Sequence, residues 1–531
     1  MTKTIKFSEN VYTTVCPGCG FGCGVYLREL MPEGENHILN IDYRKPSPVN
    51  EGKLCRFGVK LPEYFEQTEY NSDSFETGLN EKHMEAIKKA ADALKGVKSS
   101  EIALVSAGNT TNEEHMAFIN LGKTLNTPVN TCVNHVYKDI GKLHVYTSGN
   151  VSYSEIENAK KIYLFVNPYV SYPLLTRRLV HAKRKGAEIV YFGLKKLPIA
   201  CKNVKTKPCE SLYEVDEFKP DSETVIISDI TPYTNSKRIS EIVEIANPEK
   251  TEAKLLFMKP FVNSTGAGHL SRHSKQKTIQ NIIKGIEDGT IRVLFCLDTD
   301  IINMCLNPEV ENVLKKVETL IVMSSTITPI CEIADVLIET EPFYKKEGTV
   351  VNSERRIIPM SSTLDNPIRA GFNQINEIIK AVGGNAKSFE DTKEEILSEF
   401  GIEKVDEFKI PEVSIKKYDV EKVSDKLEVC CPADEPDTNA KFIYELNPFM
   451  WHNRKDENDY IEISPEFISE IKLIKGHTAD INCACKSINK TLRYKPTDME
   501  NGYIFSQKKQ PFAKAPVAKV NIKPTPLVKK Q

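Results

Sequence analysis

The chain has 531 residues, with 71 Lys and Arg against 73 Asp and Glu, and a formal net charge of -2. That near-neutral balance gives no electrostatic case for nucleic acid or an anionic membrane as a partner, both of which call for a basic excess. Apolar residues make up 40% with a single Trp, and no apolar run reaches the roughly 20 residues of a membrane-spanning helix, so no direct membrane insertion is expected.

The length predicts about three or four domains. The start, MTKTIKFSEN, has neither the apolar core of a signal peptide nor a twin-arginine pair. Fourteen cysteines in a long chain of this kind point to reduced thiols and metal ligands, and to a cytoplasmic setting.

The first chemistry met along the chain is C-P-G-C-G-F-G-C at Cys16, Cys19 and Cys23, followed 32 positions later by Cys55 in K-L-C-R-F-G. Three thiolates this close converge on one side of a tight loop, and the remote fourth closes a four-sulfur cage of the kind a [4Fe–4S] cluster needs. Gly18, Gly20, Gly22 and Gly24 let the backbone curl around such a core and aim amides at its sulfides. A zinc site takes four thiolates too. Zinc knuckles usually pair two short hooks, and here the far side offers one cysteine. Residues 1–67 are expected to form this module, with short strands at VYLREL and HILNIDY.

From about residue 82 the period changes. MEAIKKAADALKGV reads as an amphipathic helix, EIALVSAG as a buried strand, and NEEHMAFINLGKTL as a helix opened by Asn112 with Glu114 in its first turn. The alternation continues through KKIYLFVN, YPLLTRRLVHAKRKG, AEIVYFGL, ETVIISD, SKRISEIVEIAN, AKLLFMKP, KQKTIQNIIKGIEDG, IRVLFCLD and VENVLKKV. Short apolar strands between helices mean parallel sheets covered on both faces. The expected fold is therefore α/β with two doubly wound parallel-sheet domains, at 68–128 plus 255–385 and at 129–254. The charge-dense stretch 386–425 reads as a helix and an extended linker. KFIYELN, YIEISPEF and TADINCAC predict a small β-barrel over 426–510, and the Pro- and Lys-rich 511–531 an extended tail.

These segments together resemble the molybdopterin oxidoreductases that carry an N-terminal [4Fe–4S] domain, formate dehydrogenase catalytic subunits among them. NEGKLCRFG at 50–58 is similar to the family's closing segment around its fourth cysteine. The Asn-Pro loop with its helix and next strand at 167–193, MKPFVNSTGAGHL at 258–270, and ADVLIETEPFYKKEGTVVNSERRI at 334–357 follow in the family's order. DMENGYIF resembles the end of a shortened dinucleotide-binding barrel.

The resemblance implies a [4Fe–4S] cluster on Cys16, Cys19, Cys23 and Cys55, and a molybdopterin guanine dinucleotide holding molybdenum or tungsten. The residues implied at that second cofactor are Asn167, Pro168, Asn263, Gly266, Gly268, Gly348, Thr349, Asn352, Glu354 and Arg355. Their own chemistry suits the role. Asn167 and Pro168 end a strand where α/β sheets hold dinucleotides. Gly266 and Gly268 permit close backbone approach to a phosphate, and 348–355 form a polar turn. Singly, each is also an ordinary turn or strand stop.

Departures from the pattern matter equally. Catalytic members place Cys or selenocysteine on the metal, often followed by His. Sliding that pattern over TPVNTCVNHVYKDIG puts Val136 and Tyr137 there, and valine cannot ligate a metal. Cys132 and His135 lie nearby but early, and Tyr172 stands where the family has His in the Asn-Pro loop. For electron transfer the family uses a Lys two residues past the fourth cysteine, whereas here Arg56 follows directly and Lys60 is the nearest lysine. The Cys-Arg-x-Gly beginning is similar to the catalytic subunit of formylmethanofuran dehydrogenase.

Three readings result. One is a two-electron enzyme acting on a small-molecule substrate and served by a redox partner subunit of iron–sulfur, flavin or F420 type. A second is a relay or scaffold resembling the large iron–sulfur subunit of respiratory complex I. The third is a non-redox protein with a structural metal knot.

Overall fold

The computed structural model describes residues 7–32, 38–68, 70, 79–131, 149–207, 210–230, 236–246, 251–305, 307, 309–364, 367–411, 440–444, 460–473, 478–483, 486–506 and 517–525. They fall into two units, Met1–Gly149 with Met258–Ile302 and Glu311–Lys416, and Asn150–Phe257 with Asn303–Val310 and Lys417–Gln531.

The first unit contains two sheets. The N-terminal one runs, from edge to edge, Gly348–Val351, Ile357–Ser362, Phe7–Val15, Gly24–Pro32, Ile38–Asp42, antiparallel throughout. The expected strands around VYLREL and HILNIDY are its far half. Its near half comes from residues expected in the next domain, because Tyr12 and Thr13 take Ser362 and Ser361 as their partners. A hairpin from late in the chain thus completes the module that begins it.

The second sheet is parallel, in the order Val336–Glu339, Thr319–Ser324, Val293–Leu297, Ile102–Val105, Val129–Asn130. Chain order reverses between Ile102–Val105 and Val293–Leu297, and the carboxyl ends of such strands open the crevice where α/β sheets hold ligands. Helix Glu81–Lys95 covers one face because Ile87, Ala90, Ala91 and Leu94 repeat at helical spacing and are buried. Asn80 caps it by accepting from the His83 amide. Helix Asn112–Thr124 is capped by Thr111, which accepts from Glu114, so Asn112 lies one residue inside the helix it was expected to open. Burying a side chain such as Leu121 or Phe118 contributes roughly 1.5–3 kcal/mol.

The stretch 386–425 opens with the expected helix, which belongs to the core of the first unit rather than to a linker. Helix Phe389–Phe400 runs from the Ser388 cap to a left-handed Gly401. Phe389 packs edge-on against Phe372 at 5.2 Å, within the same hydrophobic core as the parallel sheet. An apolar side chain that fits a core stays in it whatever the charge density around it. The connector beyond 411 lies outside the described residues.

The second unit holds a five-stranded sheet in the order Lys254–Met258, Thr224–Asp229, Lys161–Leu164, Glu188–Phe192, Lys202–Val204. Strand Lys254–Met258 therefore belongs here, across the boundary expected at 254. This unit also holds a closed barrel of Ala440–Tyr444, Tyr503–Ser506, Tyr460–Ile463, Lys486–Pro496, Thr478–Cys483 and Val517–Pro524. The last strand corrects the expected tail. Val520 and Ile522 point into the barrel core, and the strand pairs with two neighbours. In A-P-V-A-K-V-N-I-K-P the alternation of apolar and polar residues carries the strand, while the flanking prolines mark its ends.

Candidate metal centre

The loop 16–23 is closed by the Cys16 amide donating to the Cys23 carbonyl at 2.8 Å. Gly22 takes φ +78, a left-handed backbone that favours glycine. Asn50 brings in the fourth cysteine. Its Oδ1 accepts from the Gly24 amide at 2.9 Å, and its Nδ2 donates to the carbonyls of Gly24 at 3.1 Å and Lys53 at 2.9 Å. Glu51 at φ +50 and Gly52 at φ +71 turn the chain so that Cys55 faces the loop. The Asn-Glu-Gly motif is thus a clamp on the cage.

Cys16 and Cys23 are buried, and Cys19 and Cys55 are partly so. Burial, then the charges of Cys55 and Cys19, push the Cys16 thiol well up. Burial and Cys55 push Cys19 up to about 12, and burial followed by the other three cysteines raises Cys23. The backbone amides of Gly18 and Phe21 act in the opposite sense, donating to Cys16 and Cys19. Four thiols in one another's field, with amides aimed at them, form a thiolate cradle that becomes stable once metal replaces the protons. The donor set fits a group with several metal atoms.

The far hairpin locks onto this loop. Gly20 donates to the Lys259 carbonyl at 2.9 Å, and Ser353 donates to the Gly20 carbonyl at 2.8 Å. Asn352 Nδ2 donates to the Phe21 carbonyl at 3.1 Å while its Oδ1 accepts from the Arg356 amide. The Lys259 amide donates to Ser353 Oγ at 2.9 Å, and burial holds the Lys259 ammonium well below its ordinary pKa.

The residues expected at the pterin divide into two groups. In the first unit, Asn263 donates to the Thr110 carbonyl at 2.9 Å and accepts from Val351 at 2.7 Å. Gly266 faces Asn112 and Asn263, where a side chain would collide, and Gly268 is buried in the short helix Ser264–Leu270. Thr349 bonds to Glu113 through its amide at 2.7 Å and its hydroxyl at 2.9 Å. Gly348, at φ +143, lies against the same Glu113 carboxylate. Glu354 pairs with Arg356 at 2.6 Å, and Arg355 turns the hairpin at φ +68. Asn352, Thr349 and Asn263 therefore engage their polar atoms within the protein, holding the cage against the parallel sheet.

Asn167 and Pro168 lie in the second unit, just past strand Lys161–Leu164, where its sheet reverses order. Asn167 caps the turn by accepting from Tyr169 at 3.2 Å, with Pro168 at its first position. Arg56 and Lys60 are exposed beside Cys55, and Lys60 pairs with Glu63 at 3.2 Å on the surface. The positions Cys132, His135, Val136 and Tyr137 lie outside the described residues.

Sequence reasoning missed a buried charged group. Lys346 contacts both Glu114 oxygens at 2.8 and 2.7 Å and Asp298 at 3.4 Å, with Glu341 adjoining. The available signal was the pair Glu113-Glu114 at a helix start, which also serves as ordinary capping chemistry. Elsewhere in the first unit, the buried oxygens Asn109 Oδ1 and Thr265 Oγ1 have no partner among the described residues. Asn109 follows strand Ile102–Val105 and Thr265 lies in the first turn of helix Ser264–Leu270, the two segments meeting at Gly108 and Ser264. Orphaned acceptors there fit a polar ligand.

The molybdopterin oxidoreductase Fe4S4 domain model matches residues 9–67, and the molybdopterin oxidoreductase model matches 83–383. The chain belongs to the molybdopterin oxidoreductase family. It has the family's [4Fe–4S] domain and its domain for a molybdopterin cofactor with molybdenum or tungsten. F420-dependent formate dehydrogenase 1 subunit alpha of Methanococcus maripaludis is 30% identical over 202 residues, 35% of this chain and 29% of that one. The F420-dependent formate dehydrogenase subunit alpha of Methanocaldococcus jannaschii is 30% identical over 195 residues, 34% of this chain and 28% of that one. The matches thus span under a third of those relatives' length. Acetylene hydratase from Pelobacter acetylenicus shares the fold at TM-score 0.57 and 10% identity, covering 94% of this chain and 93% of that one. No described helix is long and apolar enough to cross a membrane.

Proposed function

We propose that this chain is an iron–sulfur molybdopterin subunit of formate dehydrogenase type, working with a separate redox subunit of iron–sulfur, flavin or F420 kind. The observation that carries the reading is the lock between the cysteine loop and the hairpin at 352–353, which joins the cluster cage to the matched pterin domain through Gly20, Phe21 and Lys259. When bound, the guanine dinucleotide form of the cofactor supplies two-electron redox chemistry at its metal. The chain's own part is to hold the cage at Cys16, Cys19, Cys23 and Cys55 and to pass electrons on singly. In the first unit, Asn109 and Thr265 lie at the carboxyl end of strand Ile102–Val105, a place where α/β sheets hold dinucleotide phosphates; in the second, Asn167 follows strand Lys161–Leu164. The family's sequence pattern puts Val136 where the metal's thiolate ligand is expected, and with no thiolate there the pterin dithiolenes would have to retain the metal.

The second reading is the relay or scaffold subunit, which the same Val136 favours. Elemental and pterin analysis of protein from its native host under metal-replete growth separates the two. Molybdenum or tungsten with pterin, plus about four iron and four sulfide per chain and formate oxidation with a viologen dye, is the expected result. Iron without either heavier metal overturns the enzymatic reading.

A further inference from the structure

Lys346 is fully buried among three carboxylates drawn from three elements. Glu114 comes from helix Asn112–Thr124, Asp298 follows strand Val293–Leu297, and Glu341 follows strand Val336–Glu339. Glu114 also receives the Thr110 hydroxyl. Asp298 Oδ1 accepts from the Ser325 amide at 2.6 Å and hydroxyl at 2.8 Å. Glu341 Oε2 accepts from Thr340 and from the Gly371 amide. The remaining titratable neighbours are accounted for. Glu113 is turned to Thr349, and His115 is held neutral between Ser106 and Ser271. Tyr70 lies against Cys331 and within the field of Asp298.

One cation cannot neutralise three buried anions, and an uncompensated charge in such a place costs several kcal/mol. One carboxyl therefore keeps a proton near neutrality. Glu114 has the shift for it: burial pushes it up to about 7, with Glu341 and Asp298 adding to the rise and Lys346 opposing it.

This group is coupled to the cysteine cage through Tyr64. The buried Tyr64 ring lies 5.6 Å from Phe57, and Phe57 fills the space over Gly18 inside the cysteine loop. Tyr64 also packs on Phe65 at 5.1 Å, and Phe65 on Tyr344 at 4.8 Å, two residues before Lys346.

We propose that the Glu114–Lys346–Asp298–Glu341 network is the cage's proton-coupled partner, binding its proton more tightly when the cluster gains an electron, so that protons enter from solvent on reduction and leave on oxidation. Reduction adds one negative charge to the cage, and a nearby negative charge raises a carboxyl's hold on its proton. By linkage the bound proton favours the electron to the same degree. The electron comes from a one-electron reductant, in the test a reduced viologen, which is left oxidised. The inference rests only on the cluster half of the proposed function and needs neither pterin nor turnover.

The test is an anaerobic redox titration of the full chain carrying its cluster, read by the EPR signal of the reduced cluster at pH 6, 7 and 8. At a fixed ambient potential the reduced-to-oxidised ratio should fall by up to about tenfold per pH unit near pH 7. Glu114→Gln should flatten that dependence while iron content, sulfide content and line shape stay unchanged, and Asp298→Asn should weaken it. A wild-type ratio independent of pH overturns the proposal, with no variant required. So does a Glu114→Gln chain that keeps the full dependence. A chain that binds no iron at all refutes the cage itself, which iron analysis reports separately.

Discussion

Gly20→Ala puts the smallest possible side chain into the joint between cage and hairpin. Its Cβ would lie 2.5 Å from Ser353 Oγ, 2.6 Å from the Lys259 carbonyl and 2.9 Å from Lys259 Cβ. Ordinary contact begins near 3.4 Å, so the loop must retreat by roughly 0.8 Å from a backbone atom that cannot rotate away. Gly20 is held from both sides, donating to Lys259 at 2.9 Å and accepting from Ser353 at 2.8 Å. A retreat of that size breaks the first bond and strains the second. Overpacking costs about 1–3 kcal/mol, and a buried group left unpaired costs about 1–3 kcal/mol more, so a loss of roughly 3–5 kcal/mol is expected. Because the joint holds the cysteine loop in shape, the variant should also lose cluster. Iron and sulfide per chain after anaerobic purification, together with Tm, measure both effects. A Gly20→Ala protein with a full cluster and wild-type Tm would show that the hairpin does not shape the cage.

Two further substitutions address the buried charges. Glu113 is raised from its ordinary value to about 7, chiefly by burial, against the lowering effect of its bonds to Thr349. The native state therefore holds this proton longer than the unfolded chain, so stability is greater on the acid side and falls as pH rises from about 4.5 to about 7, by roughly 3 kcal/mol. Glu113→Gln should shrink the drop in Tm between pH 5 and pH 8, and an unchanged drop would contradict the assignment. Lys346→Met leaves Glu114, Asp298 and Glu341 without their cation, and breaking such a buried pair costs about 3–5 kcal/mol. A large fall in Tm is expected, and a Tm equal to wild type would mean that the carboxylates are already neutral.

How much could be read from the residues differs from one part of the molecule to another. The cage was legible because three of its cysteines lie within eight residues and thiolates carry a particular metal chemistry. The two parallel sheets were legible because runs such as IALV and IYLFV are short, apolar and flanked by helices. The strand at Val517–Pro524 was hidden by prolines and lysines at its ends, and the charges around Phe389 hid only that its helix packs into the core.

Local pattern by itself determined where most strands and helices form, since backbone period acts over a few residues, and it singled out four cysteines whose thiols the fold brings into one another's field. Tertiary structure alone decided that residues 348–362 complete the N-terminal sheet and that Asn352 and Ser353 grip the cysteine loop. It also decided that Glu113 and Glu114, which read as a helix cap, serve Thr349 and Lys346 more than 200 positions away. Pairings of that kind depend on which surfaces meet after the chain has folded, and nothing in a residue's immediate neighbours encodes the partner.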